Sequence, residues 1–194
     1  MNSDSLLSEA LELIITHLKR LQRPVVDALQ NGLSIEEIAS RARPFPFQLP
    51  EELKQIYMWR NGTFAPTGSL LTDLQFFPGF MLLSLDEAVQ MWSERRAFYP
   101  WRKGWFPVFA DGAGDFYFLK CERTACERLP VFGFIHGEVE HDMEYENLQA
   151  MMLTIAESYS KAAFFVDDGM LEMNDDLHRS IAAQFNPEIP EWQS

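Results

Sequence analysis

The stretch that most constrains the fold of this 194-residue chain runs from Trp105 to Lys120 and reads WFPVFADGAGDFYFLK. Two runs rich in aromatic and β-branched residues flank a short tip, Asp111–Asp115, and such runs favour the pleated, half-buried surface of a strand. The tip holds two glycines, which reach positive φ without steric cost. The sequence therefore predicts a β-hairpin at the centre of a sheet, with the aspartates of the tip accepting hydrogen bonds from local backbone N–H groups.

The negative charge of the chain is concentrated in its last third. Residues 1–128 carry 16 acidic and 14 basic side chains, a net of −2, whereas residues 129–194 carry 13 acidic side chains and only two basic ones, Lys161 and Arg179, a net of −11. Such a field repels nucleic acids and anionic lipids and attracts basic proteins. We therefore expect a basic protein partner and expect neither nucleic acid nor membrane as a partner.

Cysteine content and hydropathy indicate the compartment. No apolar run approaches the ~20 residues that a membrane helix needs, and the N-terminus lacks the features of a signal peptide. Only Cys121 and Cys126 are present, close together in a polar loop, which is too few for a four-ligand zinc site or a disulfide scaffold. The simplest interpretation is a reduced, cytoplasmic protein.

Helical spacing and capping signals predict helices on both sides of the hairpin. The first helix should carry one apolar stripe, made of Leu7, Leu11, Ile14, Ile15, Leu18 and Leu21. Capping boxes predict helix starts at Ser34 and Ser84, the second helix running to about Phe98. Later helices are expected from near Asn147, broken by Asp167-Asp168-Gly169, and from Asn174 to Phe185.

A further helix start lies at Leu49-Pro50, because proline is suited to the first helical position. Asn61-Gly62 is expected to stop this helix, with the glycine in a left-handed cap. Residues 41–49 contain two prolines and no period, and are interpreted as a linker. The prediction is an α+β fold, a mostly antiparallel sheet flanked by helices, in three parts: a helical extension (1–45), the α+β domain (46–165) and an acidic tail with a short helix (166–194).

After a third predicted core strand, which ends at Gly137, acidic residues alternate with others without exception. In a strand, this acidic ladder would place one face of carboxylates opposite a face of Val, His, Met and Tyr. The carboxylates are Glu138, Glu140, Asp142, Glu144 and Glu146. Two interpretations stay open: a solvated edge strand whose charges prevent edge-to-edge pairing, or a docking face for a basic protein.

The sequence contains no nucleophile elbow, Walker loop, dinucleotide glycine motif or zincin helix. Asp111 and Asp115 could form an acid–base pair or a calcium loop, but the EF-hand pattern is absent and turn capping explains them more simply. His136 and His141 could bind a metal only if the turn at Gly137 brings them together. We therefore predict a protein that is not an enzyme, with no catalytic residue, metal or cofactor.

The order of these motifs resembles the SUKH superfamily of Smi/Knr-type proteins over roughly residues 46–165. The matching positions are Leu49, Pro50, Asn61, Gly62, Trp105, Pro107, Asp111, Gly112, Gly114, Asp115 and His136. The resemblance implies an α+β fold with a mostly antiparallel sheet, in agreement with the elements above. It also implies a domain that binds proteins and is not known for catalysis.

Bacterial members of the superfamily look like immunity proteins that neutralise toxins, often nucleases or deaminases, whereas fungal members are regulators and scaffolds of cell-wall synthesis. The leading hypothesis is an immunity protein that occludes the basic active-site surface of a toxin. The predicted docking residues are those of the acidic ladder together with Asp167 and Asp168, and candidate anchors are Trp101, Trp105 and Tyr99 unless they are core residues. The alternatives are a scaffold for an endogenous partner, and an enzyme that uses Asp111, Asp115 and His136.

Overall fold

The predicted hairpin lies in the middle of a five-stranded antiparallel sheet of order β3-β4-β5-β6-β7. The computed structural model describes residues 3–122 and 128–193. The strands of this sheet are β3 (Met81–Leu82), β4 (Trp105–Ala110), β5 (Phe116–Lys120), β6 (Val131–Phe134) and β7 (Met143–Tyr145). Pro107 lies in β4 at an irregularity of the register with β5, where a residue without an N–H is tolerated.

Two small antiparallel sheets stand apart from the central one. The first pairs β1 with β2, and the second is a hairpin of β8 and β9. Their bounds are Leu29–Asn31 for β1, Arg60–Thr63 for β2, Phe164–Asp167 for β8 and Met170–Met173 for β9. The hairpin was not predicted, because the helix before it was expected to continue to Asp167-Asp168-Gly169.

Seven α-helices surround the sheets in the described part of the chain, and the predicted α+β class is confirmed. They are α1 (Ser3–Arg20), α2 (Val25–Ala28), α3 (Ile35–Arg41), α4 (Glu51–Trp59), α5 (Leu85–Arg95), α6 (Leu148–Ser160) and α7 (Asp175–Phe185). Both predicted capping boxes are present, at Ser34 and Ser84. Helix α5 ends three residues before the predicted Phe98.

The stripe of α1 is buried in the same apolar cluster as the central sheet. Ile14 and Leu18 are fully buried, and α1 packs mainly along α6, whose Met152 and Ile155 are also fully buried. Because an amphipathic helix must cover its apolar face, α6 supplies the surface that this stripe needs. The division into parts 1–45, 46–165 and 166–194 stays a prediction.

The predicted linker at residues 41–49 is irregular, but it contributes to the core. Phe45 is buried, and its ring packs edge-on against Trp92 of α5 at 5.2 Å and Phe106 of β4 at 4.7 Å. Edge-to-face aromatic pairs add stability beyond the area that they bury. This segment therefore fastens α3 and α5 to the sheet.

Asn61 and Gly62 do not cap α4 as predicted, because the chain leaves the helix at Trp59 and continues as β2. The buried Asn61 Oδ1 accepts the N–H of Leu85 at 3.0 Å, at the start of α5. Gly62 has a φ of +75°, and a Cβ at this position would lie 2.1 Å from the backbone nitrogen of Ser84. The pair therefore joins β2 to the N-terminus of α5.

Glu52 is buried below the N-terminus of α6, and its environment predicts a pH-dependent stability. Its Oε2 accepts the N–H of Leu148 at 3.1 Å, and its Oε1 lies 3.3 Å from Nε of Arg128. Burial raises the pKa of Glu52 from 4.5 to about 7, although Arg128 and the backbone N–H groups favour the charged form. The folded state therefore holds this proton more tightly than the unfolded state, so stability falls as the pH rises from 4.5 to about 7.

We expect the variant Glu52→Gln to be more stable than the wild type by about 3 kcal/mol at pH 8 and by about 1 kcal/mol at pH 5.5. The amide oxygen of glutamine can still accept the N–H of Leu148, while the cost of burying a charge disappears. Urea denaturation of both proteins at the two pH values measures the difference. The matched control is Glu51→Gln at the exposed neighbour, which should change stability by less than about 0.5 kcal/mol. An advantage of Glu52→Gln that does not change with pH would contradict the assigned pKa.

Candidate protein-binding site

The hairpin tip is held closed by its first aspartate. Asp111 Oδ1 accepts the backbone N–H groups of Ala113, Gly114 and Asp115 at 2.7, 2.8 and 2.9 Å. Asp115 does not fold back locally as predicted: its Oδ1 accepts the N–H of His136 at 2.8 Å, which ties the tip to the end of β6. Both carboxylates therefore accept backbone N–H groups, but only Asp111 caps the turn as predicted.

The acidic ladder does not form one strand: residues 143–145 are strand β7, but the expected strand is wrong for residues 138–142. Within this segment only β7 pairs with β6, and residues 135–142 form a loop that turns at Gly137, which has a φ of +94°. Glu138, Glu140 and Asp142 are exposed, and Val139, which was expected on the face opposite the carboxylates, is itself 61% exposed. Because β6 ends at Phe134, the first half of the ladder has no strand to pair with, and its carboxylates separate in solvent.

Glu144 and Glu146 are both partly buried and accept hydrogen bonds from other parts of the chain. Glu144 is partly buried and its Oε2 accepts the hydroxyl of Tyr117 at 2.9 Å. Its Oε1 packs against Gly133, and a Cβ at that position would lie only 2.0 Å from this oxygen. Glu146 Oε1 accepts the N–H of Glu188 at 2.9 Å. The ladder is thus divided into three solvated carboxylates and two that contact the protein interior.

The acidic loop and the hairpin both lie within a stretch that matches a known protein family. The chain matches the model of the SMI1 / KNR4 family (SUKH-1) over residues 32–159. It belongs to this family. The match begins before the expected start of the α+β domain at residue 46 and ends before residue 165. No curated protein matches the chain. Within the described residues of this SUKH-1 protein, no helix is both long and apolar enough to cross a membrane.

Asp167 and Asp168 of this SUKH-1 protein lie at the exposed turn of the β8–β9 hairpin. Asp168 has a φ of +45° and Gly169 a φ of +80°, which suits a two-residue hairpin turn. The buried Arg23 donates to the backbone oxygens of Gly169 and Thr72, both at 2.6 Å. The two aspartates are therefore fixed on a different sheet from the acidic loop.

His141 and Cys121 are both removed from solvent to a large extent, His141 partly and Cys121 almost fully. His141 is half-buried between Phe134 and Trp105, and burial together with Lys120 lowers its pKa, while Glu138 and Asp142 oppose this effect. Over residues 3–122 and 128–193, no three His, Cys, Asp or Glu side chains are grouped to hold a metal.

Burial raises the pKa of Cys121 to about 12, so its thiol is protonated at neutral pH and is a poor nucleophile. Cys126 lies outside the described residues.

Of the three candidate anchor residues, two are buried in the core and one is exposed on the surface. Trp101 and Trp105 are buried, and each packs against Phe118 of β5. Tyr99 is 81% exposed, and it shares a surface depression with Val139 of the acidic loop. Tyr99 and Val139 are therefore exposed apolar groups on this part of the SUKH-1 protein, and Ile135 of the acidic loop is exposed as well.

A cavity between β7, β8 and α7 was missed at the sequence level. It is lined by aromatic side chains, Glu144 and the buried His178, whose Nδ1 lies 2.9 Å from Ser158 Oγ. Burial lowers the pKa of His178 to about 4, so this ring is neutral at pH 7. The only sequence signal was Trp192, a large aromatic residue in a polar C-terminal segment.

Proposed function

We propose that this SUKH-1 protein is a non-enzymatic, cytoplasmic immunity protein that binds a toxin of the nuclease or deaminase type and occludes its basic active-site surface. The observation that carries the proposal is the exposed acidic loop, where Glu138, Glu140 and Asp142 project into solvent. It lies in the part of the chain, residues 129–194, whose net charge is −11 from 13 acidic and two basic side chains. Family membership supports a protein partner.

Charge complementarity would determine how the partner approaches. Toxins that act on nucleic acids carry basic surfaces because their substrate is a polyanion. An exposed acidic loop speeds the encounter with such a surface, and the effect weakens as salt screens the charges. We propose Glu138, Glu140 and Asp142 as the first contact, with Asp167 and Asp168 of the β8–β9 turn adding to the long-range field.

Apolar contacts would supply most of the affinity once the partner has docked. Binding energy at protein interfaces is carried by a few aromatic or aliphatic anchors that are surrounded by polar residues. Tyr99 and Val139 fit this description, since both are exposed and line one depression whose polar lining consists of Arg102, Lys120, Glu122 and His141. Glu144 and Glu146, which are partly buried, would add to the negative electrostatic field around the loop.

Reversing the charges of the loop tests the docking face. We expect Glu138→Lys/Glu140→Lys to slow association with the toxin by about ten-fold or more at low salt and to flatten the salt dependence of the rate. Stopped-flow or surface plasmon resonance at several salt concentrations measures both effects. The matched control is Glu9→Lys/Glu94→Lys, which makes the same change in net charge at exposed acids of α1 and α5. Equal slowing by the two variants, or no slowing by either, would show that the loop is not the docking face.

A further inference from the structure

The aromatic cavity is enclosed by an almost continuous row of rings. Its volume is about 340 Å³, which is the size of a site for one amino-acid side chain or a small organic group. Neighbouring ring centroids lie 4.7–5.9 Å apart. The rings follow one another in the order Phe77, Phe80, Tyr117, Tyr145, Trp192, His178 and Phe164. Aromatic walls of this kind attract cations through the negative faces of their rings.

The carboxylate of Glu144 is part of this aromatic wall and has unused positions for accepting hydrogen bonds. Glu144 lines the cavity, and Tyr117 is the one side chain of the described residues that donates to it. Its backbone oxygen accepts the indole N–H of Trp192, so strand β7 and the C-terminal segment are joined at this wall. A carboxylate accepts about four hydrogen bonds, and a cationic donor in the cavity would use the remaining positions.

The charges around the cavity favour a positive occupant. Burial raises the pKa of Glu144, against the hydrogen bond from Tyr117, and the negative charges of Asp142 and Glu191 raise it further. Across residues 3–122 and 128–193, no lysine or arginine forms an ion pair with Glu144. Arg179 also lines the cavity, but its Nη1 donates to the backbone oxygen of Glu191 at 2.9 Å. Asp175 lines the cavity as well, so the lining carries the carboxylates of Glu144 and Asp175 and one guanidinium, that of Arg179.

We infer that the aromatic cavity is a binding site for the guanidinium group of an arginine side chain contributed by the protein partner. A guanidinium is planar, so it can lie against a ring face and donate to a carboxylate from its edge in the same pose. The inference rests on the proposed function for the partner's basic character, and it gives the acidic surface an adjacent pocket for one specific side chain. Asp142 connects the two regions electrostatically, since it lies in the exposed loop and its negative charge raises the pKa of Glu144.

Titration with Nα-acetyl-arginine amide tests the site without any toxin. The reporter is the indole N–H resonance of Trp192 in a ¹H–¹⁵N spectrum, because this group donates to the backbone of Glu144 at the cavity wall. We expect a saturable shift with the arginine compound and none with Nα-acetyl-citrulline amide, which has nearly the same shape but no charge. Nα-acetyl-lysine amide should bind more weakly, since an ammonium group cannot stack flat on a ring.

The variant Glu144→Gln should weaken binding of the arginine compound by about ten-fold or more, because a charge-assisted hydrogen bond is lost. Glutamine can still accept the Tyr117 hydroxyl, and a thermal melt checks that the variant is folded. Glu94→Gln removes the same charge from an exposed position of α5 that does not line the cavity, and it should leave the affinity nearly unchanged. Binding of citrulline as tight as arginine, tighter binding of lysine, or wild-type affinity in Glu144→Gln would each overturn the site. Because no toxin is used, failure here would leave the proposed immunity function standing, and failure to find a toxin would leave this site standing.

Discussion

Replacing Ile14 by aspartate is expected to unfold the whole domain and not only the first helix. Ile14 is fully buried on the face of α1 that packs along α6, and α6 in turn packs against the central sheet through the same apolar cluster. The substitution removes a buried aliphatic side chain and places an unpaired carboxylate in its position, at a combined cost of about 5 kcal/mol or more. This is comparable to the entire stability of a typical domain, which is about 5–15 kcal/mol.

Leu13→Asp is the matched control, since Leu13 is the preceding residue of the same helix and is 41% exposed. It should melt within a few degrees of the wild type, while Ile14→Asp should lose its near-ultraviolet circular dichroism and its cooperative transition. The comparison also tests the predicted division of the chain. If Ile14→Asp melts only α1 and leaves a cooperative transition for residues 46–165, the extension folds as a separate part and the expected global unfolding is wrong.

Replacing Gly62 by alanine is the second change with a large expected effect. Its φ of +75° disfavours any side chain, and the new Cβ would lie 2.1 Å from the backbone nitrogen of Ser84 and 2.4 Å from its Cα. Backbone atoms of β2 and the start of α5 would have to separate, which would break the hydrogen bond from Leu85 to Asn61. We expect a loss of about 4 kcal/mol or more from strain, the broken cap and the disturbed packing.

Gly68→Ala is the matched control, because it introduces a side chain at a positive φ without a steric contact and so separates the two causes of the loss in Gly62→Ala. Gly68 has a φ of +90°, but a Cβ there meets no atom within 4 Å. Its cost should be only the conformational one of about 1–2 kcal/mol. Urea denaturation of the two variants gives the difference directly. Similar losses for Gly62→Ala and Gly68→Ala would mean that the contact between Gly62 and Ser84 is not a constraint of the fold.

The fold could be predicted where a local signal and the tertiary structure agree. The Asp111–Asp115 tip has glycines for the turn and an aspartate to cap it, and both flanking runs pack on the core, so the hairpin was predicted correctly. The capping boxes at Ser34 and Ser84 are equally local, since each depends on residues only three positions apart.

The sequence was misleading where the decisive contact is distant. The alternation in residues 138–146 indicated a strand, but a strand needs a partner, and β6 ends too early to pair with the first half of the ladder. Gly62 was interpreted as a helix cap because its contact with Ser84 cannot be seen from neighbouring residues. The Asp168-Gly169 pair is a strong hairpin signal, but it was interpreted only as the end of the preceding helix, which in the structure already ends at Ser160.

In the candidate site, too, the features with a local sequence signal could be predicted and those built from distant residues could not. The exposed carboxylates follow from charge and the turn at Gly137, both of which are local. The aromatic cavity combines side chains from Phe77 to Trp192, and nothing in the linear order brings Glu144 beside Tyr117 and Trp192. Only the antiparallel pairing of the central sheet and the docking of the C-terminal segment place them together.

The most direct test of the proposed function is a titration of toxin activity. The candidate partner is a toxin encoded by a gene adjacent to the gene for this chain, and its nuclease or deaminase activity is measured while purified protein is added. The proposal predicts that activity falls to zero near one molar equivalent, and that Glu138→Lys/Glu140→Lys requires an excess to reach the same inhibition. Full toxin activity at a large molar excess of the folded protein would contradict the immunity function and would favour a scaffold for an endogenous partner.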